Sequence, residues 1–106
     1  MFMGMNSTQA KARAAILKAP AHPTRVLMLD ALSRGDRCVN DLRILASVSQ
    51  PTISHHLEKL KKVGIVTERR QGKKIVHHLA CPCMLEAVGC TLGVIQSVKK
   101  HQVQAT

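Results

Sequence analysis

A chain of 106 residues makes one small domain that hides only about two-thirds of its unfolded surface, so a second copy would supply core that one copy lacks. Sixteen Lys and Arg against six Asp and Glu leave a formal net charge of +10, which favours a polyanionic partner over an acidic small molecule. Four cysteines are too few for a disulfide scaffold, and there is no phosphate-binding loop, dinucleotide fingerprint or spaced nucleophile–base pair, which argues against an enzyme.

Residues 1–6 are expected to be disordered, and Ser7 or Thr8 can cap a first helix through Ala10, Ala14, Ile16 and Leu17 to Ala19. Pro20 and Pro23 end it and open a second helix over residues 24–33, apolar at Val26, Leu27, Leu29, Ala31 and Leu32 and stopped at Gly35. Asp36 is the expected cap of a third helix through Val39, Leu42, Leu45 and Ala46. Ser47-Val48 is then a tight turn, and residues 36–63 read as a helix-turn-helix.

The second helix of that motif opens at Ser49, a good N-cap, with Pro51 tolerated in the first turn. Ile53, Leu57 and Leu60 form one buried stripe. Pro51, Thr52, His55, Lys59 and Lys62 lie opposite, with short polar groups in front and positive charge behind, as suits a helix entering a major groove. Gly64 marks the stop, and residues 65–80 read as a two-stranded hairpin, with strands over 65–70 and 74–80. Its tip carries Arg69, Arg70, Lys73 and Lys74 and makes it a basic wing.

Pro82 suits the start of a last helix over residues 82–100. The run from 79 to 95 is apolar except for Glu86, but it is shorter than the roughly 20 residues of a membrane span and holds Pro82 and two glycines. We read it as a helix buried on two sides, the second side being another subunit. The opening residues lack a basic, apolar secretion signal, so a cytoplasmic product without a membrane association is expected. The fold expected is mainly helical with a small β-hairpin: a single winged helix-turn-helix domain, homodimeric through its first and last helices.

From about Thr24 to Cys83 the chain resembles the ArsR/SmtB family of winged-helix metal-responsive repressors. The phrase Ser-Gln-Pro-Thr-Ile-Ser-His-His-Leu-Glu-Lys-Leu-Lys-Lys-Val-Gly-Ile-Val from Ser49 to Val66 matches the family's recognition helix, and Arg-Arg-Gln-Gly-Lys from Arg69 matches its wing. The resemblance implies a homodimer that binds an imperfect palindrome of double-stranded operator DNA and is released by an effector. It implies DNA contacts from Gln50, Ser54 and His55. Thr52 and Lys59 join them from the helix face, and Arg69, Arg70, Lys73 and Lys74 suit phosphates or the minor groove. Gln50 offers a donor–acceptor pair for adenine.

In one branch of the family an effector site at the start of the last helix uses an Asp-x-His pair. Counted from Arg70-Gln71-Gly72, those positions hold Cys81 and Cys83. Two sulfurs in place of oxygen and nitrogen turn the expectation toward thiophilic ions: arsenite or antimonite first, with cadmium, lead, zinc and copper as alternatives. The family's remaining ligand positions fall near Val94 and Ser97, which cannot serve, and Cys90 is the expected third sulfur. Seven residues of helix separate Cys83 from Cys90 by about 10 Å, so either the segment unwinds or Cys90 comes from a partner. Gly89 and Gly93 would allow close helix approach there. Of the family's other site, Cys-Val-Cys-Asp-Leu, the chain keeps only Cys38, read as structural.

The alternatives are thiol oxidation or polysulfide bridging through Cys90, simple packing of the three cysteines, and a non-regulatory nucleic-acid-binding protein. Cys81 and Cys83 are close for a comfortable bridge. His56 reads as a packing histidine, His77 and His78 as strand filler, and His22 and His101 as solvated.

Overall fold

The computed structural model describes residues 4–105, with side chains over residues 4–100. Five helices and three strands follow in the order α1 (Ser7–Lys18), α2 (Pro23–Ser33), β1 (Arg37–Cys38), α3 (Val39–Ala46), α4 (Gln50–Lys62), β2 (Val66–Gln71), β3 (Lys74–Leu79) and α5 (Cys83–Ala105). The sheet is three-stranded and antiparallel with the order β1-β3-β2, so the expected two-stranded hairpin gains an edge strand. That strand is only two residues long and pairs Arg37 with His77 and Cys38 with Val76, too short to leave a periodic pattern in the sequence.

The caps also move. Asn6, not Ser7 or Thr8, caps α1: its Oδ1 accepts from the Gln9 N–H at 2.8 Å, and Gln9 Oε1 accepts from the Asn6 N–H at 3.1 Å, a reciprocal capping box. Of the disorder expected over residues 1–6, residues 1–3 lie outside the described residues, and Asn6 departs from it by capping. His22 Nδ1 accepts from the Thr24 N–H at 3.1 Å and caps α2, with Pro23 in the first turn. At α3 the cap position is held by Cys38 rather than Asp36. Asp41 reaches back to accept from the Cys38 N–H at 3.4 Å and the Cys38 thiol at 3.1 Å.

The turn between α3 and α4 is as tight as expected. Ser47 ends α3 in the left-handed region at φ 56°, and Ser49 Oγ accepts from the Thr52 N–H at 3.4 Å to start α4. The wing strands pair from Val66 with Leu79 to Gln71 with Lys74. The tip is therefore two residues, with Gly72 at φ 65°, a backbone conformation open to glycine in a tight hairpin. Helix α5 starts one residue later than expected and runs past Lys100 to Ala105.

Met28 and Leu29 of α2, Leu42 of α3, Ile53 and Leu60 of α4, and Ile65 and Val66 at the entry to the wing are fully buried. Each such side chain contributes on the order of 2 kcal/mol of hydrophobic stabilisation. The two flanking helices differ. Helix α1 buries nothing, and Leu92, Val94, Ile95 and Val98 of α5 are all exposed in the single chain. The radius of gyration is 16.6 Å, against about 13 Å for a compact chain of this length. No described helix is long and apolar enough to cross a membrane.

Candidate nucleic-acid interface and thiol pair

Helix α4 is amphipathic as its sequence demands. Ile53, His56, Leu57 and Leu60 are buried, while Gln50, Thr52, Ser54, His55 and Lys59 stay exposed. Gln50 is the first residue of α4 and shares a cleft of about 450 Å³ with Lys73 and Lys74 of the wing and with Cys38, Asn40 and Asp41. The recognition helix and the wing therefore present their polar ends side by side. Arg70, Lys73 and Lys74 form no ion pair among the described residues. Two of the side chains expected to touch DNA are already engaged. The Thr52 hydroxyl lies 2.8 Å from that of Ser49, and Arg69 Nη2 lies 2.9 Å from Asp36 Oδ2.

Asp36 thus serves the wing rather than a helix end. It faces His78 Nδ1 at 2.8 Å as well as Arg69, and the His78 hydrogen bond holds its carboxyl below the ordinary carboxylate range, with help from Arg69. His78 is accordingly no filler. A second bridge ties the wing to α4: Glu68 of β2 accepts from Lys61 of α4 at 3.0 Å and lies 3.3 Å from Nε2 of the buried His77. Lys61 lowers the Glu68 carboxyl and is itself raised by it. Burial pushes His77 down against the pull of Glu68.

His56 packs as expected, and its partner is Arg25, whose Nε donates to His56 Nδ1 at 2.9 Å. His22 lies against the same ring, with centroids 4.5 Å apart, and stays exposed as expected while its Nδ1 caps α2. Burial lowers the His56 pKa, followed by the charge of Arg25. His101 has no described side chain. Sequence reasoning missed Arg25 and Asp36 as organising residues, because each acts across a long sequence separation that no local spacing records. It also missed Glu68, whose partners Lys61 and His77 lie on the elements either side of its strand.

The cysteines divide into a pair and two singles. Cys81, half-buried between β3 and α5, places its sulfur 3.0 Å from that of Cys83 at the first residue of α5. Both sulfurs can stand about 2.3 Å from one ion at an S–ion–S angle of about 80°. The neighbouring Cys81 thiol pushes the Cys83 pKa up, so this thiol is protonated at neutral pH. Cys90 is exposed, and α5 runs unbroken past it, so the segment does not unwind to bring it to the pair. Among the described residues, no three His, Cys, Asp or Glu side chains gather to hold a metal. Cys38 keeps to Asp41.

This arrangement defines a winged-helix DNA-binding regulator: a capped, amphipathic reading helix beside a basic two-residue-tipped hairpin. The profile described as "Bacterial regulatory protein, arsR family" matches residues 22–68. The chain is 32% identical over 80 residues to the transcriptional repressor SdpR of Bacillus subtilis, covering 76% of this chain and 89% of that protein. It spans about half to two-thirds of the length of the other curated relatives it matches. Among solved structures, the AntR antimony-specific transcriptional repressor superposes with a TM-score of 0.73 at 28% identity, over 90% of this chain and 86% of that one. The homodimeric winged helix-turn-helix DNA-binding domain of a possible ArsR-family regulator from Mycobacterium bovis gives 0.65 at 26%, over 99% and 96%. The chain belongs to the ArsR/SmtB family of transcription regulators.

Proposed function

We propose that the chain is a homodimeric transcriptional repressor that holds operator DNA through α4 and the wing and lets go when a thiophilic effector, arsenite or antimonite foremost, binds Cys81 and Cys83 together with Cys90 of the partner subunit. The observation that carries this reading is the 3.0 Å separation of the Cys81 and Cys83 sulfurs at the joint between wing and last helix. Two sulfurs already close enough to share an ion suit a soft centre, and their place on the chain gives ligation a mechanical consequence. Cys81 follows β3 and Cys83 opens α5, so a bound ion ties the wing's exit to the helix that would face the partner.

The likeness to an antimony-specific repressor supports the choice of effector. The exposed apolar residues of α5, an α1 with no buried residue and the homodimeric relative support a second copy as the partner. A helix of α1's twelve residues is marginal alone in water and needs packing to persist. For arsenite the chemistry is a condensation. As(OH)3 exchanges three hydroxides for three thiolates, each thiol proton leaving with a hydroxide as water, and no electron is transferred.

The test is operator release, followed by fluorescence anisotropy in reductant, on titration with arsenite, antimonite, cadmium and zinc. Wild type should release, and Cys81→Ser and Cys83→Ser should each raise the midpoint by tenfold or more. Release by zinc that is indifferent to both variants would move the assignment to other ligands. Release that occurs only when reductant is omitted would make the same thiol pair an oxidation sensor, which its short separation also suits.

A further inference from the structure

The groove between α1, α2 and the C-terminal half of α4 lies apart from the cleft shared by Gln50 and the wing. It has a volume of about 460 Å³ and is lined by Lys18, Arg25, Lys59 and Lys62 together with the apolar Ala19 and Val63. No acidic residue lines it. Among the described residues none of its four cations forms an ion pair, whereas Lys61 on the same helix is engaged by Glu58 and Glu68. The C-terminal turns of α1 and α4 both contribute here. Each helix end offsets only about half a positive charge, so the groove keeps a net charge of about three.

One of the four cations is fixed in place. Arg25 donates from Nε to His56 Nδ1 and from Nη1 to the Ala19 carbonyl, both at 2.9 Å, and Nη2 has no hydrogen-bond partner among the described residues. A guanidinium held through two nitrogens offers the third without losing side-chain freedom on binding. His56 can accept from Arg25 only with Nδ1 unprotonated, because an arginine N–H can only donate. The neutral, buried His56 is therefore what aims the guanidinium.

Position on α4 points to the occupant. Lys59 and Lys62 lie four and seven residues after His55, on the same helix face. The thirteen residues of α4 span about 20 Å, whereas a major groove is about 12 Å wide. A helix that reads bases with its first turn thus carries its last turn over the sugar–phosphate backbone. We propose that this groove seats a phosphodiester of the operator backbone flanking each half-site, with Arg25 as its fixed donor and Lys18, Lys59 and Lys62 as flexible ones. The proposal rests on the operator-binding reading and adds Lys18, Arg25 and Lys62 to the residues expected to touch DNA.

The test is operator affinity as a function of salt for the full chain. Removing one phosphate-neutralising cation lowers the slope of log affinity against log salt by about 0.9. The Lys18→Gln/Lys62→Gln double variant should lower the slope by nearly two, leave the preference for operator over random DNA unchanged and leave the thermal midpoint unchanged. Arg25→Lys keeps the charge and loses the planar fork, so the slope should stay while affinity falls several-fold. An unchanged slope in the double variant, with Lys73→Gln lowering it as a control, would overturn the proposal. So would millimolar inorganic phosphate raising the thermal midpoint of wild type but not of the double variant while the DNA slope stays fixed, which would assign the groove to a free anion. Absence of any operator preference in wild type would sink the operator reading and this proposal with it.

Discussion

Histidine does four separate jobs in this chain, and each is set by what its ring nitrogens face. His22 Nδ1 accepts a helix-cap hydrogen bond and His56 Nδ1 accepts from Arg25, so both must be unprotonated at that atom. His77 is buried beside Glu68, and His78 sits on Asp36. Burial pulls His56 and His77 below the ordinary value of 6.5. As pH falls below that value the unfolded chain therefore takes up more protons than the folded one, and stability drops through the folded pKa values. Denaturant titrations at pH 7.5 and 5.5 should show wild type losing stability on acidification, with His56→Gln losing less. Equal losses in the two proteins would contradict the assignment. The thiol pair gives a second pH test. Cys83 is held protonated by Cys81, so cadmium must displace protons and bind more tightly as pH rises. Arsenite, whose hydroxides carry the thiol protons away as water, should show an affinity nearly flat from pH 6.5 to 7.5 in competition titrations.

At the scale of elements, α4 does most to define the molecule. Its Ser49 cap, Ile53, Leu57 and Leu60 stripe and Gly64 stop were all legible in order, because a helix of this length repeats its apolar signal several times. Replacing Ser49 with Ala should cost about 1 kcal/mol of stability, measured by urea unfolding. Gln50→Ala should relax base preference by about 1–3 kcal/mol at one operator position, whereas Lys73→Gln should weaken all sequences alike. The two can be separated by binding to a panel of operator variants. Gly72 at φ 65° leaves Gly72→Ala strained by about 1 kcal/mol, in a turn with open space around it. Strand β1 was not legible, since its two residues exist only through pairing with β3, far along the chain. Nor was the true role of Asp36: standing just before an apolar run, it has the look of a cap, yet long-range pairing with Arg69 and His78 claims it. The cysteine pair was visible as a motif, but its 3.0 Å closure comes from the break between β3 and α5 that Pro82 enforces, and spacing alone argued for less comfort.

For the whole molecule the unpaired apolar faces of α1 and α5 set the expectation. A second copy covering Leu92, Ile95 and Val98 would turn the elongated single chain into a compact dimer whose two α4 helices address half-sites about 34 Å apart. Leu92→Glu with Val98→Glu should yield a monomer in light scattering and lose operator binding by tenfold or more, while the α2–α4 core still folds by circular dichroism. A dimer that survives both charges would place the interface elsewhere. On the proposed function, release would need only a small change in the angle between the two reading helices, driven by an ion joining the wing's exit to α5. Such coupling is reciprocal: whatever factor the effector takes from DNA affinity, DNA must take from effector affinity. The most direct measurement is a pair of arsenite titrations, one on the free dimer and one on the dimer saturated with operator. Weaker arsenite binding in the complex, by the same factor that arsenite weakens operator binding, is the predicted result. Equal arsenite affinity in both states would contradict the account, leaving a DNA-binding protein whose thiol pair does not control it.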